Sequence, residues 1–148
     1  MTRPIAEARS AYKVFCQIST RWSDNDVYGH VNNVVYYSWF DSAVNRFLIE
    51  SGALDIHAGD FMGLVVETQC NYFEPLAFPQ PVEAGIRVAL LGTSSVRYEV
   101  ALFSRQSADA NPLCAAKGHL VHVYVDRHTR RPVPLPPALL SALALAAA

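Results

Sequence analysis

Apolar residues recur at steps of three and four between Val34 and Ser51, through Tyr36, Tyr37, Phe40, Ala43, Val44, Phe47 and Leu48. That spacing predicts an amphipathic helix. Asn32 or Asn33 can cap its start, and Gly52 fits the position just past its end. Trp39 and Ile49 widen the apolar stripe, so the helix is apolar over much of its circumference and is expected to be buried. Ahead of it, residues 14–21 read as a first strand. After about Phe61 the period changes from three-to-four to two, as in pleated strands. Residues 63–73, 82–90, 96–102 and 113–125 are the expected strands, with Val121, Val123 and Val125 on one face of the last. Gly92-Thr93-Ser94-Ser95 reads as a hairpin turn, and Pro132, Pro134, Pro136 and Pro137 end regular structure. Residues 135–148 are apolar but interrupted by Pro136-Pro137, shorter than the roughly 20 residues a membrane helix needs. They are expected to form a short terminal helix, packed or frayed. The order is therefore β-α-β-β-β-β: one long helix, then an antiparallel meander that can bury one face by wrapping around it. This is an α+β architecture.

Composition narrows the function classes. A chain of 148 residues with 51% apolar residues suits one domain, residues 1–148, with a sizeable core. A formal charge of −1 argues against a nucleic-acid footprint. One local basic run, Arg127-His128-Thr129-Arg130-Arg131, can still meet phosphates, or simply form a solvated turn. Residues 1–13 lack a signal-peptide core. Cys16, Cys70 and Cys114 are odd in number and far apart, which supports neither a zinc site nor a disulfide framework. Reduced, half-buried thiols in a cytoplasmic protein are the expectation. With no Gly-rich phosphate loop and no metal-ligand cluster in the sequence, no bound cofactor is expected.

The segment with chemical content is Asp24-Asn25-Asp26-Val27-Tyr28-Gly29-His30-Val31-Asn32-Asn33, at the mouth of the helix. Backbone N–H groups at a helix entrance can hold a developing oxyanion, and a neighbouring carboxylate can activate or deliver a nucleophile. That pairing suits acyl transfer. Asp and Asn in such a turn also serve as plain caps, and on these residues alone capping is the simpler reading.

The run from Arg21 to Asn33 resembles the D-x-D-x-x-G-H-V-N-N signature of hotdog-fold acyl-CoA thioesterases of the 4-hydroxybenzoyl-CoA thioesterase type. Further likenesses are Tyr36-Tyr37 and Phe40-Asp41 on the helix, Phe73-Glu74-Pro75-Leu76, Leu91-Gly92-Thr93-Ser94-Ser95, and the stretch from Val125 to Pro134. The resemblance covers about residues 14–137. It implies a hotdog fold, with the antiparallel sheet wrapped around one long central helix, and a homodimer or homotetramer whose sites draw on two chains. It also implies hydrolysis of an acyl-CoA thioester, with Asp26 as general base or nucleophile and backbone N–H groups near Gly29, His30 and Val31 as the oxyanion hole. Some members carry a tyrosine seven positions after the catalytic acid. Here that position is Asn33, so their aromatic-acyl specificity does not transfer.

Other residues follow from this picture. Asp24 is expected to organise the turn. Asn32 and Asn33 are caps or substrate contacts. Asp41 occupies the helix on which a different hotdog branch places its catalytic carboxylate, in a register that is not clearly equivalent. Ser95 and Arg97 at the hairpin, with Arg127, Arg130 and Arg131, are candidate anchors for the coenzyme, because Arg offers phosphate a planar fork. Tyr36, Tyr37, Trp39, Phe40, Phe61 and Met62 can line an acyl tunnel or fill the core. His119, His122 and Tyr124 are strand residues, one of which can face a pocket. Two further readings keep the fold. One is a thioesterase acting on acyl carrier protein, which calls for a basic docking patch. The other is a non-catalytic acyl-CoA-binding protein. A hydratase of the D-x-N-P-x-H type is disfavoured, since neither the proline nor the spacing is present.

Overall fold

The computed structural model describes residues 4–105 and 112–148. Its elements are β1 (Val14–Ile18), α1 (Asn33–Glu50), β2 (Phe61–Tyr72), β3 (Val82–Leu91), β4 (Ser95–Ser104), β5 (Cys114–Asp126) and α2 (Pro137–Leu143). The five strands form one sheet in the order β1-β3-β4-β5-β2, all neighbours antiparallel. The hotdog arrangement holds, with α1 against the inner face of the sheet. The meander runs only from β3 to β5. β2, which precedes it in the chain, crosses to the far side and pairs with β5, so both β1 and β2 are edges.

The inner face is apolar on every central strand. Ala84, Ile86 and Val88 of β3, Val96, Tyr98, Val100 and Leu102 of β4, and Ala116, Leu120 and Tyr124 of β5 join Tyr36, Trp39, Phe40, Val44, Phe47 and Leu48 of α1 in one core. Tyr36, Trp39 and Phe40 are thus core residues of the chain. The expected short terminal helix is α2, and Leu139 and Leu143 pack it onto the same core.

Several sequence expectations are corrected. β1 stops at Ile18 rather than Arg21, because the Asp24 carboxylate accepts the Arg21 N–H at 2.7 Å and winds Trp22–Asp24 into a 3₁₀ turn. The last strand starts at Cys114, one residue later than read. On it, Val121 and Val123 face outward and are only half-buried; the inward face carries Leu120, His122 and Tyr124. α1 is not covered all round: Val34, Ser38, Asp41, Ser42 and Ile49 are exposed on the single chain. Asn32 is its cap, accepting the Val34 N–H at 3.1 Å, and Gly52 follows the helix at φ +78°, a conformation that suits glycine. Cys16 and Cys70 are half-buried and Cys114 is buried, all three as free thiols.

The N-terminal segment, silent in the hydrophobic pattern, straps the outer face of the sheet. Tyr12 packs with Phe103 at a 6.0 Å ring separation, beside Ala101 and Cys114. Above this second small core the Arg87 guanidinium donates to Glu7 at 2.8 Å and to Glu99 at 2.9 Å, and Lys117 also pairs with Glu7. Arg87 chiefly, aided by Lys117, holds the Glu7 carboxyl down at about 2, below its ordinary 4.5. A folded pKa below the unfolded one makes the ionised strap stabilising above about 4.5, a contribution lost as pH falls toward 2. The urea midpoint of wild type should therefore exceed that of Glu7→Gln at neutral pH, and the gap should close through this window. A gap independent of pH would show that the strap owes nothing to the ion pair.

Candidate active site

The loop between β1 and α1 is a closed turn. Asn25 and Val31 form an antiparallel bridge, and the Asp26 N–H donates to His30 O at 2.8 Å. Inside it, Gly29 N–H donates to Asp26 O at 3.1 Å, and Tyr28 N–H donates to Asp26 Oδ1 at 2.8 Å. Gly29 sits at φ +82°, in the left-handed region, which is why a glycine occupies the turn. The loop is moored to the segment entering β3: Val31 N–H donates to Leu76 O at 2.7 Å, and Phe78 N–H donates to Asn25 Oδ1 at 3.0 Å. Asp24 lies beneath it, buried. Its carboxylate takes the Arg21 N–H and guanidinium, and its carbonyl takes the Asn32 N–H at 2.8 Å. Asp24 therefore organises the turn, as expected.

Asp26 is half-buried and lines a cleft of about 380 Å³ with Trp22, Asn25, Val27 and Gly29. Its Oδ2 has no hydrogen-bond partner among the described residues, so one carboxylate oxygen is positioned by Tyr28 N–H and the other is open. The three backbone donors named from the motif fare differently. The N–H groups of Gly29 and Val31 are spent on Asp26 O and Leu76 O. The His30 N–H has no protein acceptor among the described residues, nor does the Asn33 N–H, the first of α1. A helix leaves its first N–H groups without intrahelical acceptors; Asn32 takes the Val34 N–H on its side chain and the Val35 N–H on its carbonyl at 2.9 Å, but not that of Asn33. The capping rule thus points to Asn33 N–H, which motif reading passed over in favour of its side chain. Tyr72 also escaped the sequence reading. Its hydroxyl donates to Asn33 O at 3.0 Å and ties the end of β2 to the mouth of α1.

The candidate coenzyme anchors are elsewhere. Ser95 and Arg97 open β4, whereas the Asp26 loop is moored near the start of β3, and Val82 pairs with Ser104 at the other end of β4. Along that ten-residue strand the separation is roughly 30 Å. Arg97 lies on the outer face, its guanidinium 3.2 Å from His119 Nδ1, with His119 Nε2 2.9 Å from Glu67. Arg127 is a loop clamp, donating to Ile56 O at 3.0 Å, while Arg130 and Arg131 are exposed. Both lie at the Ser95 end of the sheet: Asp126, which precedes their turn, pairs with Phe61, and Ser95 pairs with Val123. Within one chain, Asp26, His30, Asn32 and Asn33 come together, and Ser95, Arg97, Arg130 and Arg131 stay apart from them.

Residues 20–143 match the thioesterase-like superfamily. The chain belongs to that superfamily. The PA5185 protein of Pseudomonas aeruginosa strain PAO1 is 52% identical, with a TM-score of 0.91 over 97% of this chain and 98% of its own. Slr0204 of Synechocystis, a 1,4-dihydroxy-2-naphthoyl-CoA thioesterase, shares the fold at 19% identity and a TM-score of 0.75, over 88% of this chain and 94% of its own. YsmA of Bacillus subtilis is 23% identical over 63% of this chain and 63% of its own, so the match spans less than two thirds of that relative. Membership in the superfamily supports thioester hydrolysis as the general reaction. Among the described residues, no helix is long and apolar enough to cross a membrane.

Proposed function

We propose that this superfamily member hydrolyses acyl-CoA thioesters to the free acid and CoA, with Asp26 as the reacting carboxylate. The observation that carries the reading is the Asp26 loop itself: a carboxylate fixed through one oxygen, open through the other among the described residues, in a cleft at the entrance of a helix whose first N–H, that of Asn33, has no acceptor among them. Asp26 either takes a proton from water or attacks the thioester carbon directly, and the thiolate leaves readily in both routes. His30 N–H and Asn33 N–H are the donors this reading assigns to the developing oxyanion. The test is thiol release from short-chain, long-chain and aromatic acyl-CoAs. Turnover of one class supports the reading, and absence of turnover from folded protein on all of them overturns it.

The reading includes a second copy of the chain. β2 is an edge strand with Val65 47% and Val66 60% exposed, and an unpaired apolar edge is a pairing surface. Antiparallel pairing of two such edges sets the Phe61 end of one β2 against the Tyr72 end of the other. Arg130 and Arg131, which follow the strand paired at Phe61, then approach the partner's Asp26 end. That arrangement makes the expected coenzyme anchors useful where a single chain cannot. Mixed dimers test it. Asp26→Asn and Arg130→Glu/Arg131→Glu proteins, each weak alone on a CoA ester, should regain about a quarter of wild-type activity when subunits are exchanged, since half the dimers are then mixed and each holds one intact site. Exchange without recovery would place the arginines in the same chain's site or in none.

A further inference from the structure

His122 is 2% exposed on the inner face of β5. Its Nδ1 lies 3.3 Å from the Tyr124 hydroxyl, which is 2.6 Å from the Tyr98 hydroxyl, and its Nε2 is fully shielded with no partner among the described residues. Burial pushes the ring's pKa down, so one nitrogen is a donor and the other an acceptor at neutral pH. The arrangement that satisfies this chain best runs Tyr98 O–H to Tyr124 O, then Tyr124 O–H to His122 Nδ1. It leaves one group over, the Nε2–H. Leaving a buried donor unpaired costs roughly 1–3 kcal/mol, and native proteins rarely tolerate it without reason. Space is kept for the cluster: a Cβ on Gly63, which pairs with Tyr124, would stand 3.0 Å from His122 Nδ1 and 2.9 Å from the Tyr124 ring.

The position of this donor relative to the candidate site is legible in the register. Val65, Thr68, Cys70 and Tyr72 of β2 pair with His122, Leu120, Gly118 and Ala116, so they share the inner face of the sheet. At the edge of the sheet Val65, Thr68 and Tyr72 are exposed, an open track beside α1. One end of the track is at the mouth of α1, where Tyr72 holds Asn33 O. The other end reaches His122 within one strand spacing, about 4.8 Å. From Tyr72 to Val65 the paired strand β5 runs from Ala116 to His122, roughly 20 Å at about 3.3 Å per residue.

We propose that His122 is a specificity-determining residue whose Nε2–H donates to an oxygen on the end of the acyl group remote from the thioester. This rests on the thioesterase reading. The substrate class is then an acyl-CoA of extended length on the order of 20 Å, oxygenated at its far end.

The experiment pairs each ω-hydroxyacyl-CoA from octanoyl to octadecanoyl with its unsubstituted parent. Wild type should favour the hydroxylated ester by about 10- to 100-fold in kcat/KM at one chain length. His122→Phe should bring that ratio to about one while parent-ester turnover persists, and His122→Gln, which keeps an N–H donor, should retain part of it. Turnover of the parents with no preference at any length overturns the proposal and leaves the thioesterase reading standing. If no ester is turned over, the thioesterase reading fails. In that case the proposal is decided by ¹⁵N resonances of the histidines during titration with an ω-hydroxyacyl-CoA thioether. A shift at His122 Nε2 that the unsubstituted thioether does not cause supports it, and an unmoved resonance overturns it. The wild-type ratio and the titration need no variant, so a His122→Phe protein that fails to fold does not spare the proposal.

Discussion

Replacing Asp26 by asparagine should lower turnover of the preferred acyl-CoA by about 10²–10⁴-fold while leaving the thermal midpoint near that of wild type. The two side chains have nearly the same shape. The amide oxygen of asparagine can still accept the Tyr28 N–H, and the turn is otherwise closed by backbone bonds from Asp26 N–H to His30 O and from Gly29 N–H to Asp26 O. The loop's mooring through Val31 N–H and Asn25 Oδ1 involves no atom of the changed residue. What is removed is the negative charge on an oxygen that has no partner among the described residues, and with it both the basicity and the nucleophilicity the reaction needs. Thiol release measured beside a melting curve separates the two effects. A folded Asp26→Asn protein with undiminished turnover would sink the assignment. A large fall in the melting point would show that the carboxylate is a cap, the simpler reading of the same residue.

Phe40→Ala should cost about 3–5 kcal/mol of stability, the largest single-site loss expected in the chain. Phe40 is 0% exposed and central to α1, and its ring packs on the backbone of β5 at Gly118. A side chain on Gly118 would collide with that ring and with Gln69 O of the paired strand, so glycine there is what lets helix and sheet approach. Tyr37 adds an edge contact at 6.3 Å between ring centroids. Removing the ring leaves a void between a rigid helix and a rigid sheet, neither of which can collapse into it without moving other core residues. Urea unfolding should show a lower midpoint at an unchanged slope. A loss below about 1 kcal/mol would mean that the helix can shift to fill the space, contrary to this packing.

How much of this was legible in the chain differs from element to element. The three-and-four spacing from Tyr36 to Leu48 identified α1, and the period-two runs identified β3, β4 and β5, because each pattern reports only which side of a local element is apolar. The same patterns misjudged faces. Val121 and Val123 outweigh His122 in hydropathy, yet His122 is buried and the valines are not, since burial on a strand is decided by what lies across from it. β1 was read three residues too long because the Asp24 carboxylate competes for the Arg21 N–H, a local side-chain contact with no signature in periodicity. The strap of residues 4–13 is held by contacts distant in the chain, its Glu7–Arg87 pair joining residues 80 apart.

The candidate site divides in the same way. Asp26, Gly29, His30, Asn32 and Asn33 lie within eight residues, so a turn and a cap, both local structures, bring them together and the chain alone determines that. Which N–H groups remain unspent was decided by Leu76, a residue 45 positions from Val31 that the fold sets beside it. The separation of Ser95 and Arg97 from Asp26 was decided by strand direction in the sheet, and the exposed edge of β2 by its crossing to pair with β5. By itself the sequence determined the identity of the elements, the single long helix and the compact turn with its carboxylate, because those depend on neighbours in the chain. Only the tertiary structure decided which donors are free, which face His122 occupies and which edge is left open, because hydrogen bonds and burial between distant residues exist only once the sheet has its order.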